Sequence, residues 1–195
     1  MRTQKSFATI SYNSTLFLQS RLNELVELGI LDFWCFVEHL PEDDETKKHK
    51  HLFCVPSKLL DANSLIDYLK EIDLTSPDSK PLTCIVPHSS KFGDWFLYSS
   101  HNVAYLVSKG QSRKYHYSID DFICSDFDYF NELRHRIDLS KFNGLERLIA
   151  AVNNGETFNS LISSGQVPLQ LIRQYEYAYN CLVSAKLDEH KDSAL

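Results

Sequence analysis

DFWCFVEHLPEDDETKKHKHLFCV, residues 32–55, decides how this chain is read. Asp32 to His39 is dense in aromatic and apolar side chains, the pattern of a buried strand. His49 to Val55 is a second such run. Pro41 to Lys48 between them is polar and charged, so the two strands are expected to form a hairpin with a charged loop. On a strand, residues i and i+2 face the same way. His49 and His51 therefore project together, while Lys50 faces the other side. The hairpin brings His39, at the end of the first strand, alongside them. Glu42, with Asp43 beside it, lies three residues further on in the loop. Three imidazoles and a carboxylate form a mixed nitrogen and oxygen donor set, suited to manganese, zinc or, more weakly, magnesium.

Outward from the hairpin, Phe7 to Ser11 reads as a strand. Asn13-Ser14-Thr15 offers an N-cap. Leu18, Leu22, Leu25 and Val26 recur at helical spacing up to Gly29, which reads as a stop. Asp61 to Ile72 reads as a helix capped near Asp61 or Asn63, and Leu82 to Val86 as a strand. Phe92 to Val107 is partly helical; a helix there would put Tyr98, His101, Asn102 and Tyr105 on roughly one face. The order strand, helix, strand, strand, helix, strand is that of the split βαβ unit. The expected class is α+β: a ferredoxin-like or RNA-recognition-like antiparallel sheet with helices on one face.

After Asp126 the strand pattern fades. Leu145 to Val152, Glu156 to Ser163 and Leu169 to Ala185 read as three helices, separated at Asn153-Asn154-Gly155 and Ser164-Gly165. The expected organisation is a domain over residues 1–130 and a helical C-terminal segment over 131–195 with a frayed tail. Residues 143–188 are expected to be dispensable for the chemistry of the first domain.

Composition limits the alternatives. Of 195 residues, 43% are hydrophobic, enough for a packed core and against wholesale disorder. No run approaches a membrane span, and the N-terminus lacks the apolar stretch of a secretory signal. Cys35, Cys54, Cys84, Cys124 and Cys181 are scattered and odd in number, which fits reduced thiols in a cytosol rather than a cysteine zinc site. The net charge of -6 runs against a nucleic-acid binder. Its distribution softens that objection: residues 1–119 hold 13 basic and 14 acidic side chains, and residues 120–195 hold 7 and 12. Lys47-Lys48-Lys50 and Lys109 with Arg113-Lys114 are local basic clusters.

FVEH (36–39), a short acidic loop, KHKHLF (48–53) and LYSSH (97–101) together resemble the HUH endonucleases, the replication initiators (Rep proteins) of small rolling-circle plasmids and single-stranded DNA phages. The resemblance covers roughly residues 5–130. It implies a metal-dependent nickase and strand transferase that acts on single-stranded DNA at a replication origin through a covalent 5′-phosphotyrosine. It implies Tyr98 as the nucleophile and His39, Glu42, His49 and His51 around Mn2+ or Mg2+. It further implies Lys109, Arg113 and Lys114 as candidate phosphate contacts. Host replication proteins and a second copy of the chain are the implied partners, in a bacterial cytoplasm with no membrane role. Two positions depart from the commoner pattern. Glu42 stands where the family often has Asp. His101 stands where eukaryotic viral relatives carry Lys, which favours the plasmid-like branch. Two other functions fit the same residues: a non-catalytic DNA-binding regulator or inhibitor on this fold, and a metal-dependent hydrolase without a covalent intermediate.

Overall fold

A computed structural model describes residues 6–41, 48–58, 60–72, 80–111, 113, 115–139, 143–165, 167, 176, 179–180 and 182–183. In chain order the elements are β1 (Phe7–Ser11), α1 (Thr15–Glu27), β2 (Leu31–His39), β3 (His49–Pro56), α2 (Ala62–Tyr68), β4 (His88–Ser89), α3 (Phe92–Ser99), α4 (Val103–Ser108), a single 3-10 turn (Ile119–Asp121), β5 (Phe122–Cys124), α5 (Phe127–His135), α6 (Asn143–Asn153) and α7 (Phe158–Ser163). The chain divides into two compact units. Residues 1–99 with 117–137 form the first, and 100–116 with 138–195 the second.

The first unit is built on a five-stranded sheet in the order β4-β1-β3-β2-β5, with antiparallel pairing throughout. This is the expected α+β split βαβ arrangement, extended at one edge by β5. The hairpin register sets His39 opposite His49 and Val37 opposite His51. Alternation along the strands divides the side chains between two faces. Phe7, Trp34, Phe36, Leu52 and Cys54 pack with Leu18, Leu22 and Leu25 of α1 and with Leu65 of α2. Ala8, Phe33, Cys35, Val37 and Phe53 pack on the other face with Phe92 and Trp95 of α3 and Phe130 of α5. The two crossover helices thus share one face, as expected, and α3 and α5 cover the second.

Local signals explain most boundaries. Helix α1 ends where the Gly29 N–H reaches the Val26 carbonyl at 2.9 Å. The φ of +63° at Gly29 is one that a residue with a Cβ rarely adopts. Asp61 caps α2 by accepting from the Ser64 N–H. The strand expected over 82–86 is displaced. Its residues follow β1 through single links, Tyr12 N to Thr83 O and Ile85 N to Ile10 O, both 2.9 Å. Regular pairing comes only at His88 and Ser89. Pro81 and Pro87 bracket the stretch and supply no N–H to the ladder. From Cys84 to His88 the chain takes one residue more than β1 takes from Ala8 to Ser11.

In the second unit, α4 buries Ala104, Tyr105, Leu106 and Val107. It packs on α6, which buries Leu148, Ala151 and Val152. The helices expected at 145–152 and 156–163 are present, while that at 169–185 lies largely outside the described residues. The expected division after residue 130 and the compact units differ in one respect. Segment 100–116 belongs with the C-terminal helices, and α5 stays with the sheet because Phe130 is fully buried in its core. Among the described residues no helix is long and apolar enough to cross a membrane.

Candidate metal centre

Strands β2 and β3 carry His39, His49 and His51 onto the sheet face that α3 covers. All three are buried, at 1%, 5% and 7% exposure. Their ring centroids stand 4.3 Å apart for His39 and His51, 5.4 Å for His39 and His49, and 5.0 Å for His49 and His51. One nitrogen from each lies within 4.8 Å of the others. The Nε2 atoms of His49 and His51 are 3.2 Å apart. Two nitrogens each about 2.1 Å from a shared ion stand roughly 3.0–3.4 Å from one another, so this pair has the spacing of co-ligands. The cluster can hold a metal ion.

His39 is oriented from two sides. Its Nε2 lies 2.8 Å from the Ser99 carbonyl. A carbonyl only accepts, so Nε2 carries a proton, and in the neutral form of the ring Nδ1 is the nitrogen that offers a lone pair. A hydrogen bond on the far nitrogen is the usual way a protein fixes the tautomer of a metal-binding histidine. The ring of Tyr117 stacks flat on His39, and its hydroxyl oxygen accepts from the Leu40 N–H at 3.3 Å.

On the opposite face of the hairpin, Lys50 is almost fully buried. Its ammonium donates to Glu38 Oε2 at 2.8 Å and to the Asn13 carbonyl at 2.7 Å. Lys48 holds the other Glu38 oxygen at 2.8 Å. Partial burial pushes the Glu38 carboxyl up, but the two ammonium groups outweigh it and hold the group below its ordinary range. A slip of one residue between β2 and β3 would drive Lys50 into the histidine cluster and turn both histidines away. The cross-strand ion pair opposes that slip.

Tyr98, on α3, meets the cluster edge-on, with its ring centroid 5.5 Å from that of His51. The expected continuous face from Tyr98 to Tyr105 does not form. Helix α3 ends at Ser99, His101 takes a φ of +53°, and Asn102 starts a new helix by accepting from the Tyr105 N–H. His101 Nδ1 instead donates to the Tyr115 carbonyl at 2.8 Å, and its own carbonyl accepts from His116 Nδ1 at 2.6 Å. These contacts hold the turn that begins segment 100–116.

Lys109 and Arg113 belong to the second unit. Lys109 ends α4 with its ammonium 5.4 Å from the centroid of the Tyr105 ring. Glu42, Asp43 and Lys114 lie outside the described residues. Ser99 and Tyr117 were not expected at the site. Nothing in the sequence marks a carbonyl as a histidine's partner, and Tyr117 stands far along the chain from its stacking mate. Tyr12 was legible in retrospect. It lies two residues beyond Ile10, hence on the same face, and its ring centroid is 6.4 Å from that of His49. No protein-family model, curated protein or solved structure matches the chain.

Proposed function

We propose that this protein is an HUH-type nickase and strand transferase that cuts single-stranded DNA at the origin of a small plasmid or phage and starts rolling-circle replication. One observation supports it above the others: a phenol on α3 sits beside a cluster of three histidines on an antiparallel sheet. Hydrolysis needs only a metal and water. A tyrosine held against the ligands suits transfer to the protein itself.

A Mn2+ or Mg2+ ion held by His39, His49 and His51, with Glu42 as a further ligand, would draw charge from the phosphate oxygens as a Lewis acid. The nitrogen-rich donor set favours Mn2+ of the two. Tyr98 attacks phosphorus with its hydroxyl oxygen, whose proton passes to solvent. The new bond joins phosphorus to the tyrosine oxygen, the bond from phosphorus to the 3′ oxygen breaks, and that oxygen leaves and takes up a proton. The 5′ end stays on Tyr98 and the free 3′ hydroxyl primes synthesis. Lys109, Arg113 and Lys114 are assigned to the DNA backbone, and the host replication proteins follow at the nicked origin.

The test is to incubate the protein with labelled single-stranded oligonucleotides and Mn2+ and run a denaturing gel. A band of protein-linked DNA that disappears with chelator is expected. Cleavage without any linked DNA would favour the hydrolase reading, and neither cleavage nor adduct a binding protein.

A further inference from the structure

We infer that Tyr12 is a stacking platform for a DNA base next to the phosphate held at the histidine cluster, an inference that rests on the reading of the site as one for single-stranded DNA. Tyr12 directly follows β1. The register Ile10 with His51 and Ser11 with Lys50 continues to set Tyr12 across from His49. His49 in turn faces His39. Tyr12, His49 and His39 thus form one row across three neighbouring strands. Tyr12 ends that row with its side chain out in solvent, 41% exposed.

The residues on either side of it are held fast. Ser11 and Asn13 are both buried, and the Ser11 hydroxyl donates to Asn13 Oδ1 at 2.7 Å. Asn13 donates from Nδ2 to the Leu69 carbonyl at 2.7 Å, and its own carbonyl accepts from Lys50. The Tyr12 N–H is fixed on the Thr83 carbonyl. A large aromatic ring is therefore displayed on a rigid backbone, and its packing against His49 is loose, at 6.4 Å between tilted rings. The ring so displayed presents a flat apolar face to solvent. It suits a ligand with a flat face, because little freedom is lost when a base stacks there. Stacking ignores base identity, so Tyr12 holds the strand at the metal without reading sequence.

The experiment measures fluorescence anisotropy of a labelled oligothymidylate with the full chain in Mn2+, with metal affinity followed separately by calorimetry. Tyr12→Phe and Tyr12→Trp keep the flat face and are expected to bind as the parent does. Tyr12→Ala is expected to weaken binding by about five- to a hundredfold, the range of one lost base stack, with Mn2+ affinity unchanged. Parent binding retained in Tyr12→Ala overturns the inference alone. A Tyr12→Phe variant as weak as Tyr12→Ala also overturns it, by assigning the hydroxyl rather than the ring. A parent chain that does not hold the oligonucleotide at all overturns both this inference and the function on which it rests.

Discussion

The ring of Tyr117 lies parallel to that of His39, with 2° between their planes and 4.5 Å between their centroids. Stack and hydrogen bond together hold His39 with its outer edge on the Ser99 carbonyl. Tyr117→Ala should therefore weaken Mn2+ binding by about tenfold, the scale at which groups behind a ligand act. Tyr117→Phe retains the stack and should bind metal as the parent does. Calorimetric titration of both variants checks this, and equal affinities for parent and Tyr117→Ala would show that the stack does not position His39.

The histidines themselves should matter far more. The double substitution His49→Ala and His51→Ala removes the two nitrogens that stand 3.2 Å apart. Calorimetry should then detect no Mn2+ binding while circular dichroism keeps its native shape. Undiminished affinity in that variant would remove the metal centre and with it the proposed chemistry.

Tyr98→Phe deletes one oxygen from a half-buried ring. Fold, metal affinity and oligonucleotide affinity should persist, and the covalent adduct should vanish. Mass spectrometry of the adduct trapped in the parent should place the nucleotide on the peptide containing Tyr98. A nucleotide on Tyr12 or Tyr117, both beside the histidines, would move the nucleophile and leave the metal centre standing.

Glu38→Gln leaves the buried Lys50 ammonium without its anionic partner. Urea denaturation should show a loss of about 2–4 kcal/mol, somewhat below the roughly 3–5 kcal/mol for stranding one member of a fully buried pair because Glu38 is partly exposed. Adding Lys50→Met should recover much of it. Mn2+ affinity of the double variant reports whether the pair also keeps the hairpin in register; if affinity equals that of the parent, hydrophobic packing alone sets it.

The thiols give a pH dependence. Burial pushes the Cys84 thiol up to about 11 and those of Cys35 and Cys54 well above their usual range. A group that holds its proton more tightly when folded contributes stability in full below its unfolded pKa, about 8.5 for cysteine. That contribution falls away as pH climbs from there towards 11. Urea midpoints should hold steady from pH 7 to 8 and drop above pH 9, and Cys84→Ala should lessen the drop. An identical drop in Cys84→Ala would assign it to other groups.

The hairpin was legible because its signals are local and redundant. Aromatic density marks β2 and alternation sets His49 and His51 together; the charged connection expected between the strands lies largely outside the described residues. Helix α1 was legible from Leu18, Leu22 and Leu25 with Gly29 behind them. Strand β5 was missed because three residues carry no period, and pairing with Cys35, Phe36 and Val37 is what makes Phe122–Cys124 a strand. Helix α5 was missed although Asp126 caps it by accepting from the Tyr129 N–H. The break after Ser99 was missed because no Gly or Pro marks it. A histidine with positive φ makes the turn there, held by contacts with residues 115 and 116 that only the fold brings near.

Ser99 and Tyr117 are the residues at which the chain leaves the sheet unit for segment 100–116 and returns from it. Both touch His39. The sheet unit is thus anchored on one imidazole both where the chain leaves it and where it returns. Loosening either anchor would disturb a candidate metal ligand before it disturbed a strand. Cutting the chain after α5 would leave residues 100–116 covalently joined to the first unit while parting α4 from α6, on which it packs.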